Sequence, residues 1–355
     1  MKKHLLLLGA ITVLTSCESG KIPTSVEQVI QLQAAYVTGR PRVDGFADDV
    51  VWNDPLPYTI HVSPQYGEGV LGAGECNITL KAIWWRDWVQ SREMSFIGFL
   101  ATWPDADKNI DKNMWTYDPR DSSWSQHGGE DWLLLQWEAG GDYVDLWYWG
   151  SSTTNPMGYF DDRHVRWLAA GDTFYSYIDG LNFENDTYTQ QNTWDHNYDD
   201  RSTPYDSTDD RPAMAWKDDP NLTEPSLPRI YSASDENRHF LLDFETAPLD
   251  QTPFASPPSE VTLPGYILQD PVDRSADIMA AGRYNEQTES WTLEWVRQVS
   301  TGESNDVSFD PDSRYSNWDF WLALGNNSKS PFEIGSKYSG AASAIIFNFE
   351  FVPPE

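Results

Sequence analysis

Side chains able to ligate a metal or carry covalent chemistry are sparse in this 355-residue chain, which has six His, two Cys and six Met against 55 Asp and Glu. No Gly-x-Ser-x-Gly, His-Glu-x-x-His or phosphate-cradling Gly loop occurs, so hydrolase, metallopeptidase and nucleotide chemistry lack their usual local machinery. Six His offer a zinc or catalytic cluster little material. The carboxylates are too many for a glycosidase pair to be singled out. No Cys-x-x-Cys-His is present, which excludes a covalently attached c-type haem. Enzymatic chemistry therefore has little local support in the sequence, and whether the chain is an enzyme stays open at this point.

One acidic run, Asp105, Asp107, Asn109 and Asp111, puts oxygen side chains at alternate positions as a calcium loop does. The sixth-position Gly of an EF-hand is Ile110 here and the twelfth-position Glu is Thr116, so the run is not an EF-hand. It stands as a calcium candidate beside the plainer reading of an acidic turn.

The N-terminal residues address the chain to the cell envelope. Met1 to His4 is positive, Leu5 to Leu14 is apolar but too short to span a bilayer, and Leu14-Thr-Ser-Cys17 reads as a lipobox. Residues 1–16 are then a lipoprotein signal peptide and Cys17 the acylated first residue of the mature chain, anchored by lipid to the membrane. Glu18 is not the Asp that retains lipoproteins at the inner membrane, which points to the outer membrane or cell surface. Residues 17–42 form a tether, with Ser25 to Tyr36 as its helical candidate. With Cys17 acylated, Cys76 has no disulfide partner and reads as a small apolar residue at a strand start.

The net charge of −31 excludes nucleic acid as a partner and suits either a screened, ion-rich exterior or the steering of a basic redox protein. Aromatic residues make up 14% of the chain beside 23 Gly and 23 Pro, the pattern of short strands broken by turns. Apolar or alternating runs of strand length recur at Ile78–Trp85, Met94–Trp103, Asp131–Trp137, Tyr143–Trp149, Ala276–Tyr284, Ser290–Arg297, Trp318–Gly325 and Ala342–Glu350. The expected fold is one large all-β unit with long surface insertions. Residues 185–221 are too polar to form strands of their own and read as a surface insertion, as does the proline-rich stretch from Ala247 to Pro264.

From Asp145 the chain runs Asp-Leu-Trp-Tyr-Trp-Gly, and from Gly158 it runs Gly-Tyr-Phe-Asp-Asp-Arg. This resembles the signature of the haem-binding subunit of ethylbenzene dehydrogenase and its relatives, Asp-(Leu or Ile)-Trp-His-Trp-Lys followed by Gly-Tyr-Ala-Asp-Asp. Asp145, Trp147, Trp149, Gly158, Tyr159, Asp161 and Asp162 match, whereas Tyr148 and Gly150 stand where His and Lys are usual. Asp44-Gly45 with Trp52 resembles the entry motif of the same domain and of related carbohydrate-binding β-sandwiches. The closing motifs are similar too: Asp277 to Tyr284, Trp291-Thr-Leu-Glu-Trp-Val-Arg297, Thr301-Gly302 and Asn305-Asp-Val-Ser-Phe309.

The resemblance implies an all-β, immunoglobulin-like β-sandwich over residues 43–355 with long surface insertions, and a noncovalent haem b held by two axial side chains, a Met before the signature strand and a Lys near the C-terminus. The turn before the strand here, Glu138 to Tyr143, has no Met, Cys or His. Candidate axial ligands are therefore Lys329, which has the positional claim, Met157 inside the signature loop and His127, with Trp147, Trp149 and Tyr159 around the cofactor. Each candidate ligand also has a plain reading as loop packing, a surface turn residue or a solvated charge. Asp161-Asp162 followed by Arg163 reads as a structural Asp–Arg pair. Two functions follow. One is a lipid-anchored haem b protein that passes electrons to a redox partner. The other is a haem-free module on the same sandwich that binds a glycan or a protein through its aromatic side chains.

Overall fold

The computed structural model describes residues 31–62, 76–139, 143–166, 183–185, 194–202, 210–216, 239–249, 261–270, 277–312, 317–328 and 340–350. Strands dominate. In chain order they are β1 (Gln31–Tyr36), β2 (Tyr58–Val62), β3 (Cys76–Val89), β4 (Arg92–Pro104), β5 (Met114–Asp118), β6 (Ser123–His127), β7 (Glu130–Glu138), β8 (Tyr143–Gly150), β9 (Asp161–Arg166) and β10 (Phe183–Asn185). They continue with β11 (Trp194–His196), β12 (Met214–Trp216), β13 (Leu241–Leu242), β14 (Thr246–Pro248), β15 (Val261–Leu263), β16 (Tyr266–Leu268), β17 (Met279–Asn285), β18 (Ser290–Gln298), β19 (Trp318–Ser328) and β20 (Gly340–Phe349).

Twelve strands form one sheet in the order β10-β9-β8-β7-β19-β20-β1-β3-β4-β18-β17, with β2 paired to β3. The sheet curls so that its two halves face each other as a sandwich. Phe99 on β4 meets Trp147 on β8 at 6.1 Å and Phe347 on β20 at 5.5 Å between ring centroids, and Trp149 meets Trp291 on β18 at 5.2 Å. The curl is held on its open side by backbone bonds from Phe160 N to Ile278 O and from Ala280 N to Gly158 O, both 2.9 Å. Gly282 on β17 lies against the Trp149 ring so closely that a β-carbon would come within 2.2 Å of it.

Strand alternation decides what the signature strand presents to each side. On β8, Trp147 and Trp149 enter the central core and Tyr148 points outward, yet all are fully buried because a second layer covers the outer side. On β7, Leu133, Leu135 and Trp137 are the inward set. The entry motif closes one end: Trp52 is buried, its Nε1 donates to Glu294 Oε1 at 2.7 Å, and Gly45 N donates to Glu294 Oε2 at 2.7 Å. Asp44-Gly45 and the Glu of the Trp-Thr-x-Glu motif are thus one joint.

Two expectations are corrected. The stretch Ser25 to Tyr36 is not a helix where it is described: Gln31–Tyr36 is strand β1, parallel to both β20 and β3, with Leu32 and Ala34 in the core. Tertiary pairing overrides its weak helical spacing, and the globular part begins before residue 43. The polar insertion does form strands, because its short segments pair with partners far along the chain. β11 pairs with β16, β12 with β14, and β15 from the proline-rich stretch with β5. They build three small sheets, β11-β16-β13, β12-β14 and β15-β5-β6. Apolar clusters seat them: Trp194, Tyr266 and Leu268 in one, and Trp115, Ala215, Leu241, Leu263 and Ile267 in another.

Candidate functional site

The outer side of the signature strand holds a buried ionic cluster. Glu130, at the start of β7, and Lys112 have fully buried side chains and pair at 2.5 Å. The Tyr148 hydroxyl also donates to Glu130 Oε1 at 2.5 Å, while Ser152 N and Thr153 N donate to Oε2 at 3.0 and 3.2 Å. The Lys112 ammonium lies 5.0 Å from the Trp194 ring centroid and 4.7 Å from that of Tyr266. The two cover strands therefore supply a cation–π lid over the pair. Arg163 adds a second contact, pairing with Asp161 at 2.6 Å and standing 5.6 Å from Trp194. The Asp–Arg pair expected here is formed by Asp161.

The residues that the resemblance assigns to haem fall as follows. Trp147 and Trp149 are core residues of the sandwich, and Tyr159 is buried beside the bridge to Met279. Met157, in a short 3-10 turn (Asn155–Met157), packs against the cluster of Trp194, Tyr266 and Leu268. His127, on β6, has Nδ1 2.7 Å from Met114 O and Nε2 3.4 Å from Thr116 Oγ1. Lys329 and Cys17 lie outside the described residues. Glu130 Oε2, Thr153 Oγ1 and the Tyr148 hydroxyl crowd the space that a side chain at Gly150 would enter: an added β-carbon meets them at 2.4, 2.4 and 2.7 Å. Tyr148, Gly150, Glu130 and Lys112 are one packed unit on the outer side of the signature strand.

The acidic run of the calcium expectation does not converge on a point. Asp105 Oδ1 accepts from Asn326 Nδ2 at 3.0 Å and from Asp107 N at 3.3 Å, Asn109 N donates to Asp131, and Asp111 pairs with His239. Burial pushes the Asp105 carboxyl up to about 6. Its oxygens serve turn and strand-end bonds.

A second buried cluster, not anticipated from the sequence, lies on the inner side. Asp145 on β8, Asp162 on β9 and Asp306 in the 301–309 segment are buried, and Asp277 just before β17 is half-buried. One ligand oxygen each from Asp162, Asp277 and Asp306 lies within 4.8 Å of the others, the one such acidic group among the described residues. Arg297 bridges Asp145 and Asp306 at 3.3 Å each, with its guanidinium 4.9 Å from the Trp147 ring. Val307 N donates to Asp145 Oδ2 at 2.8 Å, and Thr301 Oγ1 donates to Asp306. Strand alternation carried the missed signal: Asp161 and Asp162 must face opposite sides, so only one can pair with Arg163. Motif acids at Asp145, Asp162 and Asp306 were legible singly but not as neighbours.

Beside this cluster opens a cleft of about 900 Å³ lined by Glu138, Tyr143, Glu303, Asp306, Asn317, Trp318 and Asp319 among others. Trp318 is held from below, with Nε1 donating to Ser308 O at 3.2 Å and its ring edge-on to Phe309 at 5.3 Å. The cleft combines two aromatic rings with carboxylates and an amide.

Fold and site define an all-β sandwich domain organised around a doubly buried signature strand. The chain belongs to the ethylbenzene dehydrogenase family, whose model matches residues 123–330. A Bacteroides uniformis ATCC 8492 protein described as carbohydrate-binding aligns with it in structure at a TM-score of 0.33 and 7% identity, over 90% of this chain and 99% of that one. No curated protein matches the sequence.

Proposed function

We propose that this chain is a haem-free binding module, exported and held at the cell envelope by lipid on Cys17, that takes a polyhydroxylated ligand such as a glycan segment in the cleft beside β7, β8 and β19. The cleft carries the reading. The rings of Tyr143 and Trp318 offer apolar faces to the C–H face of a sugar, while Glu138, Glu303, Asn317 and Asp319 offer hydrogen-bonding groups to its hydroxyls. The packed Tyr148–Glu130–Lys112 unit supports the haem-free part, because it fills the space beside the signature strand with an ion pair. The lipobox supports the anchor.

Calorimetric titration of the purified chain with a panel of envelope and plant-type oligosaccharides tests the ligand class. Binding that weakens on Asn317→Ala and Asp319→Asn, both on the exposed rim, is the expected result. Absence of binding across the panel removes the glycan reading. Haemin addition with and without dithionite tests the cofactor: the spectrum of free haemin is expected, and a sharpened Soret peak with split α and β bands would restore the haem b electron-transfer reading. Cys17→Ala is expected to move the protein from the membrane to the soluble fraction.

A further inference from the structure

The inner acidic cluster is out of balance. Asp145, Asp162 and Asp306 are buried around a single guanidinium, that of Arg297, so full ionisation puts three negative charges beside one positive charge in the protein interior. Isolated buried charge is costly, and such sites bind protons or cations. Asp162 is the group that either one would serve. Its side chain is fully buried, no N–H or hydroxyl group donates to either of its oxygens, its carboxyl lies against that of Asp145, and it reaches into the group formed with Asp277 and Asp306. Two oxygens bound to one calcium at about 2.4 Å each can be at most about 4.8 Å apart. Oxygens of these three carboxylates already satisfy that limit.

We propose that Asp162, Asp277 and Asp306 bind one hard divalent cation of the calcium class, with Asp145 and Arg297 as the flanking pair that positions the carboxylates. Each ligand comes from a separate stretch: β9, the lead-in to β17, and the 301–309 segment. The ion therefore ties β9, which pairs with the signature strand, to the opposite half of the sandwich. Asp306 also lines the cleft, which gives the ion a route of entry. The remaining oxygens of a six- to eight-fold shell would be water or backbone carbonyls, as calcium sites commonly use.

The test uses the purified full chain stripped with EDTA, titrated with calcium chloride and separately with magnesium chloride, while the melting temperature is followed and bound metal is counted by atomic emission. One tightly bound calcium per chain and a rise in melting temperature of at least several degrees are expected. Asp162→Asn is expected to weaken calcium binding by at least about tenfold, and Asp107→Asn in the separate acidic turn is expected to leave it unchanged. If Asp162→Asn fails to fold, Asp277→Asn, at a half-buried position, gives the same reading. Equal melting temperatures in EDTA and calcium with no stoichiometric metal would overturn the proposal and leave protons as the neutralising species. Several weak ions insensitive to both variants would overturn it as well. Neither outcome depends on whether the cleft binds a glycan.

Discussion

Gly150 and Glu130 approach so closely that no β-carbon fits between them: one built on Gly150 lies 2.4 Å from Glu130 Oε2. A larger residue at this position therefore requires the ion pair beneath it to move. Gly150→Ala should destabilise the chain by about 1–3 kcal/mol, the usual cost of overpacking a filled interior. The urea midpoint measures it. Gly150→Lys, the family-like residue, should be worse, because it adds bulk and a second cation beside the buried pair.

Lys112 cannot lose its charge without stranding Glu130. Both side chains are fully buried, and removing one partner of such a pair costs about 3–5 kcal/mol. Lys112→Met should therefore lower the thermal midpoint strongly. The double variant Lys112→Met, Glu130→Gln should recover much of that loss, because Ser152 N and Thr153 N can still donate to the amide oxygen while the amide NH2 donates to the Tyr148 hydroxyl. A double-mutant cycle on these two positions should show a large coupling energy.

Asp131 sets a pH dependence. Burial pushes its carboxyl up to about 8 and the nearby Asp105 charge adds to that, against the three donors Asn109 N, Asn327 N and Trp291 Nε1. The folded chain then holds a proton that the unfolded chain releases near its ordinary value of 3.8. Folding stability from this group falls as pH rises from about 4 to about 8. Denaturation midpoints between pH 5 and pH 9 should show a decline that Asp131→Asn flattens.

The thiol of Cys76, first residue of β3, is pushed up to about 11, by burial first and then by Asp105. It makes only a long contact of 3.9 Å to Pro104 O. Alkylation by iodoacetamide at neutral pH should run on the order of a hundredfold slower than for a free thiol, and return to the free rate in denaturant. Mass spectrometry of the timed reaction reads both rates.

Much of the sandwich was legible because its strands carry period-two burial that the sequence displays directly. The alternation in Ile78–Trp85 and the apolar runs around Trp132 and Trp147 became β3, β7 and β8 within a few residues. The signature Trp147 and Trp149 were legible as important but not as core, since an aromatic alternation looks the same facing a cofactor or another sheet. The strands of the polar insertion were not legible. Trp194 on β11 is held by Tyr266 and Lys112, partners far away in sequence, and no local pattern announces them. Gln31–Tyr36 misled for the same reason: a short parallel strand between two others draws its identity from its neighbours, not from its own spacing.

That strand has a consequence for biogenesis. Along the ladder of the large sheet, the half that ends in β20 joins the half that begins with β3 only through β1, whose Leu32 sits opposite Phe347 and whose Ala34 sits opposite Ala82. A segment made near the start of synthesis must wait for one made more than 300 residues later before both its edges are satisfied. Until then each half exposes a raw edge. A chain built this way closes its sheet only after the last strand has arrived, so its long-range pairing is a late event in folding.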